Sequence, residues 1–236
     1  MLGRAASLQL AGLPRRVTML EIKRLHFARL EVVGEQWPVH GFVVTHPGGA
    51  LLVDTGVGGP DEMLSDWRVV NRTAAEALAD IDMSPADIDL VINTHLHFDH
   101  CGQNAVFSHA PCYVQRAEVE RAKVESRDLF DWLGFMNARF ELLDGDAEIV
   151  PGVRVIATPG HTSGHQSVLV SGAAGDVDVL IGDAAYTTVQ YGGPDDAQLP
   201  PGQAADTTAW RASLERIRSS DPARVHFCHD TAIVHG

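Results

Sequence analysis

The residues best suited to chemistry in this sequence form a dense cluster near its middle. Within six positions the chain carries three histidines and an aspartate in the pattern H-x-H-x-D-H, namely His95, His97, Asp99 and His100. Imidazoles gathered at one place lose hydration without gaining a partner, unless they bind a metal ion such as zinc or iron.

In an extended segment His95 and His97 point to the same side, so both can reach one ion. Asp99 and His100 lie past a turn and can face a second ion roughly 3.5–4 Å from the first. The cluster therefore predicts a centre of two divalent ions.

Further ligands must come from other parts of the chain, because these four residues cannot complete two coordination spheres. Three short downstream motifs each end in a suitable side chain: T-P-G-H at His161, I-G-D at Asp183 and H-F-C-H at His229. Each motif follows a predicted strand, and loops at strand ends are where α/β proteins commonly bind ligands. Taken alone, each motif has an ordinary structural explanation. In this order after the histidine cluster, they indicate the remaining metal ligands, and the carboxylate of Asp183 is suited to bridge both ions.

A sheet must position the cluster, because it follows directly on a predicted strand at residues 90–93. Upstream, apolar and β-branched runs at 22–33 and 41–53 predict an antiparallel hairpin, with a strong turn signal at 46–49. Further strands are predicted at 112–115, 147–150, 153–158, 166–171, 177–181 and 224–227. Helices are predicted at 73–81, from 84–85 onward, at 117–123, at 129–140 and after a cap at Asp206 or Thr207. Hairpins early and helices between later strands favour a two-layer sheet sandwich flanked by helices.

Apolar side chains near the predicted rim of the site could line a substrate channel or pack in the core. They are Met63, Leu64, Trp67, Trp132, Phe135 and Met136. Each one alone is expected in the core, except that Trp67, in the irregular stretch after Gly56, is the best candidate for a pocket. The segment 191–202, rich in Gly, Pro and Asp, predicts a surface loop near the mouth of the site.

Taken together, the motifs resemble those of the metallo-β-lactamase superfamily over roughly residues 41–230, and V-D-T-G at 53–56 is similar to the turn that precedes the family's metal motif. The resemblance implies an α/β fold, the αβ/βα four-layer sandwich. It also implies that His95, His97 and His161 hold one ion, that Asp99, His100 and His229 hold the other, and that Asp183 lies between the two. Asp54 would either fix an imidazole or loop amide behind the ligands or serve only as a turn residue.

A narrower resemblance links two segments to the N-acyl-homoserine lactonases: T-P-G-H-T-S-G-H-Q-S at 158–167 and G-D-A-A-Y at 182–186. In that group a tyrosine three residues after the bridging aspartate reaches the substrate, and Tyr186 occupies this position. Without the resemblance, Tyr186 would be interpreted as a tyrosine that packs in the core or at the rim. The resemblance implies that hydroxide attacks the lactone carbonyl, since two ions lower the pKa of a shared water from about 15.7 to about 7. Tyr186 and one ion would stabilise the oxyanion, and Asp99 would carry a proton to the leaving alkoxide. His165 resembles a structural histidine that bonds loop backbone.

Other readings of the same motifs remain open. A thioesterase similar to glyoxalase II shares the metal pattern, but that enzyme normally carries an added helical domain for which this chain has no residues. Another hydrolase of the same fold is a further alternative. A di-iron redox or sensing protein is less favoured, because such proteins typically have Glu where this chain has His97. Nitrogen and oxygen ligands suit Zn, Fe, Mn and Co alike, and zinc is the expected metal.

Composition and charge indicate the remaining properties. A net charge of −13 with no basic stripe argues against nucleic acid as a partner, and the resemblance implies a small lactone or ester as the partner. No run of 18 apolar residues predicts a membrane span, and the start of the chain lacks the pattern of a signal peptide. The three cysteines fit no disulfide framework, so we expect buried thiols and a cytoplasmic protein. Residues 1–18 are expected to form an extension and residues 19–236 a single domain, for which a homodimer is one allowed state.

Overall fold

In the computed structural model, two β-sheets lie face to face. The structure describes residues 20–125, 139–172, 174–193, 199–200 and 202–236. Within them the first sheet comprises β1 (Glu21–Val32), β2 (Glu35–His46), β3 (Gly49–Val53), β4 (Val70–Asn71), β5 (Ile88–Ile92), β6 (Pro111–Gln115) and β7 (Arg139–Leu143). The second comprises β8 (Ala147–Val150), β9 (Val153–Ala157), β10 (Gln166–Ser171), β11 (Val177–Leu180), β12 (Arg224–His226) and β13 (Ile233–His235).

Helices connect the strands and cover the outer faces of the sheets. They are α1 (Asp61–Asp66), α2 (Ala74–Ala79), α3 (Phe98–Cys101), α4 (Arg116–Glu125), α5 (Thr188–Gly192) and α6 (Thr207–Arg218). Single 3-10 turns occur at Pro85–Asp87, Asn104–Phe107 and Gly182–Ala184. The described helices are all too short or too polar to cross a membrane.

Each sheet contains both antiparallel and parallel strand pairs, and the loops after the parallel strands lie at one edge of the sheet. The first sheet has the order β4-β1-β2-β3-β5-β6-β7, antiparallel from β4 to β3 and parallel from β3 to β7. The second has the order β13-β12-β11-β10-β9-β8, in which β11 and β12 run parallel. Parallel strands deliver the loops that follow them to the same edge of a sheet, which is the usual place for ligands in such folds.

One core lies between the two sheets, and strand alternation determines which residues enter it. Phe42 and Val44 of β2 face the second sheet and pack with Val155 and Val168, whereas Val43 points to the opposite face. Complete burial of such a side chain stabilises the fold by about 1.5–3 kcal/mol relative to exposure.

Two further cores lie under helices on the outer faces. Leu78 of α2 packs with residues of β1 and β3 on the outside of the first sheet. Trp210 and Leu214 of α6 pack with Val179 and Val225 on the outside of the second sheet. The layer order of helix, sheet, sheet and helix confirms the four-layer αβ/βα sandwich that the resemblance implied.

Several predicted elements need correction. The runs at 22–33 and 41–53 form two hairpins instead of one, because β1 and β2 meet at an additional turn of Val33 and Gly34, both with positive φ. The predicted helix from 84–85 is only a 3-10 turn. Of the helix predicted at 129–140, residues 139–140 belong to strand β7 and the rest lie outside the described residues. The predicted starts of two helices agree with the structure: Thr73 is the N-cap of α2, where a helix was predicted to begin, and Asp206 is the N-cap of α6, as predicted.

Candidate metal centre

The seven side chains predicted to bind metal come from both sheets and meet at one edge of the sandwich. The first sheet supplies the H-x-H-x-D-H segment, which runs from the end of β5 into α3. The second supplies His161 after β9, Asp183 after β11 and His229 after β12. All are buried except His97, which is half-buried.

One group of ligand atoms consists of three imidazole nitrogens and a carboxylate oxygen. His97 Nδ1 lies 2.9 Å from His95 Nε2 and 3.0 Å from His161 Nε2, and the last two atoms lie 3.2 Å apart. Asp183 Oδ2 is 3.3 Å from His161 Nε2 and 3.7 Å from His95 Nε2. Ligand atoms at the usual ~2.0–2.1 Å from a tetrahedral zinc ion are roughly 3.3 Å apart, so this spacing fits one ion.

The second group faces the other oxygen of Asp183. Its Oδ1 lies 3.3 Å from His100 Nε2 and 3.4 Å from His229 Nε2. The carboxylate oxygen Oδ2 of Asp99 lies 3.7 Å and 3.6 Å from the same two nitrogens. Asp183 is therefore shared between the groups, with one oxygen directed at each.

Unpaired buried atoms provide an independent test of whether the site suits a cation. His100 Nε2 and Asp183 Oδ1 are buried and, although 3.3 Å apart, are not satisfied by a hydrogen bond among the described residues; His40 Nδ1 and His226 Nε2, away from the centre, are in the same situation. A buried polar atom without a partner costs free energy, so such atoms are rare in folded proteins. A cation between the two groups would supply the missing interaction for both atoms, and the donor set of imidazoles and carboxylates suits Zn²⁺ and similar ions.

Burial and neighbouring charges shift the pKa values of the two ligand groups in different directions. Burial, reinforced by the neighbouring His100 and His97, lowers the pKa of His95 well below its usual value, so that the imidazole is neutral. Burial opposes ionisation of Asp183, but the adjacent imidazoles, His100 foremost, hold the pKa of its carboxyl well below the usual range. Burial opposes protonation of His100 and His229, but the neighbouring carboxylates, that of Asp183 foremost, raise the pKa of both rings. Metals bind neutral imidazoles and ionised carboxylates, so a cation at the second group would displace a proton from each of these two rings.

Asp54 lies directly behind the ligands, at the end of β3, with φ of 60°. Its Oδ2 accepts a hydrogen bond from His100 Nδ1 at 2.8 Å and another from the Thr94 hydroxyl at 2.8 Å. Because the Thr94 hydroxyl donates to Asp54, its oxygen is free to accept from His95 Nδ1, 3.1 Å away. Asp54 thus contacts an imidazole of one group directly and reaches the other group through Thr94.

Backbone carbonyl groups accept hydrogen bonds from the Nδ1 atoms of His161 and His229, the ring nitrogens that point away from the centre. His229 Nδ1 donates to Pro38 O at 2.9 Å, and His161 Nδ1 donates to Gln203 O at 3.2 Å. Such bonds fix the tautomer and leave Nε2 directed at the centre with a free lone pair.

Glu118 is a central residue that sequence reasoning missed. Its fully buried carboxylate accepts from Leu96 N at 2.9 Å, from the Thr162 hydroxyl at 2.7 Å and from Gly164 N at 3.2 Å, and it pairs with Arg121 at 2.7 Å. It therefore ties the loop of His95 and His97 to the loop of His161. A Glu–Arg pair three positions apart also occurs on ordinary exposed helices, so the sequence carried no distinctive signal.

His165 has the contacts of a structural residue, as the resemblance implied. Its Nδ1 donates to Thr158 O at 3.1 Å, and its Nε2 accepts from Asp183 N at 2.9 Å. Both nitrogens are therefore used by backbone groups. Burial lowers the pKa of His165 to about 3, consistent with a neutral ring that accepts from one side.

Tyr186 lies over the centre between its two halves. Its ring makes edge contacts with His161 and His229, with centroid distances of 5.6 and 5.5 Å, and with Trp37 at 5.4 Å. Burial raises the pKa of Tyr186 far above its usual value, so its hydroxyl is protonated and able to donate a hydrogen bond.

A mainly apolar cavity of about 350 Å³ opens above these residues. It is lined by Leu30, Val32, Trp37, Met63, Trp67, His97, Phe98, Asp99, His161, Asp183, Tyr186, Gly202 and His229. Trp67 lies at this cavity, as expected, and contacts Phe98 with ring centroids 5.6 Å apart. Met63 also lines the cavity, whereas Leu64 packs against the core of the first sheet. Trp132, Phe135 and Met136 lie outside the described residues.

The cysteines Cys101, Cys112 and Cys228 are buried free thiols. Burial raises the pKa of each, that of Cys228 to about 12. Cys228 Sγ also lies near Asp54 and His100. However, those two side chains already bond to each other, and the thiol stays protonated, so this arrangement does not resemble a third metal site.

Comparisons with known proteins place the chain in a family. The sequence profile of the metallo-beta-lactamase superfamily matches residues 34–229. An N-acyl homoserine lactonase of Bacillus cereus is 33% identical over 169 residues, which cover 65% of this chain and 66% of that protein. The chain thus spans just under two thirds of the length of that relative. The N-acyl homoserine lactonase AttM of Agrobacterium fabrum strain C58 is 30% identical over 226 residues, covering 84% of this chain and 81% of that protein.

A solved structure extends the similarity to the fold. An N-acyl homoserine lactone hydrolase, with the product N-hexanoyl-L-homoserine bound at its catalytic metal centre, superposes with a TM-score of 0.73 and 25% identity. The superposition covers 90% of this chain and 93% of that chain. Since the profile spans most of the sequence and the fold agrees, the chain belongs to the metallo-β-lactamase superfamily.

Proposed function

We propose that this protein is a dinuclear metal-dependent hydrolase that opens the ring of N-acyl-homoserine or related lactones. The observation that carries the proposal is the position of Asp183, whose two oxygens face two separate ligand groups at the floor of an apolar cavity. One ion would be held by His95, His97 and His161, the other by Asp99, His100 and His229, with Asp183 shared. Zinc is the expected metal, and Fe, Mn and Co are alternatives with the same ligand preferences.

The residues around the centre have complementary tasks in ester hydrolysis. Bound divalent ions activate water as a nucleophile at neutral pH and polarise a carbonyl oxygen. The Tyr186 hydroxyl, at the cavity and protonated, is placed to donate a hydrogen bond to the lactone carbonyl as negative charge develops on it. Asp99, whose carboxylate also borders the cavity, is the candidate to carry a proton to the leaving oxygen.

The cavity suits a substrate with an apolar chain. Trp37, Met63, Trp67 and Phe98 form its walls, while the polar groups lie together at its floor. Burying an acyl chain against these walls contributes about 0.8 kcal/mol per methylene. The two relatives are N-acyl homoserine lactonases, and the similar solved structure is an N-acyl homoserine lactone hydrolase with N-hexanoyl-L-homoserine bound at its metal centre, which supports the same substrate class here.

The proposal is tested first by metal content and substrate range. We expect two ions per chain by elemental analysis of metal-replete protein, and faster hydrolysis of acyl-homoserine lactones than of thioesters, β-lactams or phosphodiesters. His161→Ala should weaken one metal site and His229→Ala the other. Full activity at one ion per chain would contradict the dinuclear proposal, and preference for thioesters would favour the glyoxalase II-like alternative.

Asp54→Asn tests the support behind the ligands. The amide keeps the size of the side chain, but only one of its two atoms can accept hydrogen bonds, whereas both oxygens of Asp54 now do so. We expect metal affinity to fall by roughly 10–100-fold, as is typical when a residue bonded to a metal-binding histidine is changed. Competition with a chromophoric chelator measures the affinity. If the metal affinity were unchanged, Asp54 would be only a turn residue.

A further inference from the structure

Gln203 is a wholly buried glutamine whose contacts converge on the candidate centre. Its side-chain Nε2 donates to the backbone carbonyl of Asp183 at 2.7 Å, and its Oε1 accepts from the backbone N–H of Tyr186 at 3.1 Å. Its own backbone carbonyl accepts from His161 Nδ1 at 3.2 Å. Gln203 therefore contacts Asp183, Tyr186 and His161 at the same time.

The segment that Gln203 holds has little regular structure of its own. Gly182 has φ of +59°, and Asp183 adopts a non-helical conformation within a single 3-10 turn. The backbone N–H of Asp183 donates to His165 and its carbonyl accepts from Gln203, so side chains from other segments satisfy both peptide groups. The position of Asp183 thus depends on those two side chains.

The backbone around Gln203 is itself anchored. Ala205 N and Asp206 N both donate to Gly160 O, at 2.8 and 3.0 Å, and Asp206 caps helix α6. Gln203 is consequently fixed to the loop that carries His161, and its side chain spans from that loop to the turn of Asp183 and Tyr186.

We infer that Gln203 is a positioning residue that sets Asp183 and Tyr186 relative to His161. A carboxamide supplies the donor and the acceptor that the two backbone groups require, whereas a carboxylate supplies only acceptors and a thioether supplies only a weak acceptor. The inference rests on the metal centre proposed above but not on the identity of the substrate.

The test compares Gln203→Met with a matched control, Gln115→Met. Gln115 is also buried and also pairs its amide with a backbone N–H and carbonyl, both of Gly145, at 2.9 and 2.8 Å, without contacting the seven predicted ligands. We expect Gln203→Met to weaken zinc binding roughly 10–100-fold in chelator competition and to alter the visible spectrum of the cobalt-substituted protein. Gln115→Met should lower the melting temperature while zinc affinity and cobalt spectrum remain those of the parent.

Parental zinc affinity and an unchanged cobalt spectrum in Gln203→Met would overturn the inference and leave Gln203 a packing residue. Should that variant fail to fold, Gln203→Glu keeps the size and the acceptor for Tyr186 but cannot donate to Asp183. It should show weakened zinc binding, and parental affinity would again overturn the inference. Because these measurements use no substrate, a parent protein inactive on lactones would contradict the proposed function alone.

Discussion

Asp183→Ala is expected to weaken both metal sites together and to abolish most hydrolysis. The reason is that Oδ2 lies near the group of His95 and His161, while Oδ1 lies near His100 and His229. No other described side chain places an oxygen at both groups. The loss of activity should exceed the ~10–100-fold typical of residues that only support a ligand. Elemental analysis and lactone turnover, measured on the same preparations, check the prediction.

Asp178→Ala is the matched control for this experiment. Asp178 is another buried aspartate, on strand β11 just before the turn of Asp183, but it pairs with Arg224, away from the centre. Its replacement should reduce stability and leave two ions in place. If Asp183→Ala retained two tightly bound ions and near-normal turnover, the shared ligand would have to be another residue.

Tyr186→Phe should keep both metals and reduce lactone turnover by roughly 10–10³-fold, by analogy with the loss of about 10²–10³-fold when an oxyanion donor is removed. Only the hydroxyl is lost, so the ring contacts with Trp37, His161 and His229 remain. Rates on acyl-homoserine lactones and on an unrelated ester, together with metal content and melting temperature, separate a catalytic from a structural role.

Tyr191→Phe provides the corresponding control, because Tyr191 is a buried tyrosine of α5 that packs against Phe227 and does not line the cavity. It should leave lactone turnover unchanged. Unaltered kinetics in Tyr186→Phe would remove the tyrosine from the mechanism and leave the metal centre standing. A fall in metal content or melting temperature in that variant would indicate a structural role instead.

The sequence was most informative where a side chain has few alternative uses. Histidines spaced as H-x-H-x-D-H after a strand are difficult to explain by packing, and the fold indeed places them beside His161, Asp183 and His229. Several strands were similarly readable, since short apolar, β-branched runs bounded by turn residues are typical of buried strands, and the predicted span 166–171 matches β10.

Residues that act through the backbone of distant segments could not be found in this way. Glu118 bonds Leu96 and Gly164, which lie 22 and 46 positions away, and nothing in the spacing marks such contacts. Short edge strands such as Ile233–His235 also lack a pattern of their own, because only pairing with β12 defines them. The turn at Val33 was missed because a β-branched residue rarely adopts positive φ.

The division of the seven predicted ligands between the two sheets affects the stability and the abundance of the folded protein. Ions bound at that junction would join the two halves of the sandwich, so that folding and metal binding become linked equilibria. With free metal at 100 times its dissociation constant, the linkage is worth about 2.7 kcal/mol per site, a large share of a typical total stability of roughly 5–15 kcal/mol. The abundance of the folded protein would then follow metal supply, since chains made under scarcity unfold more often and are exposed sooner to proteases.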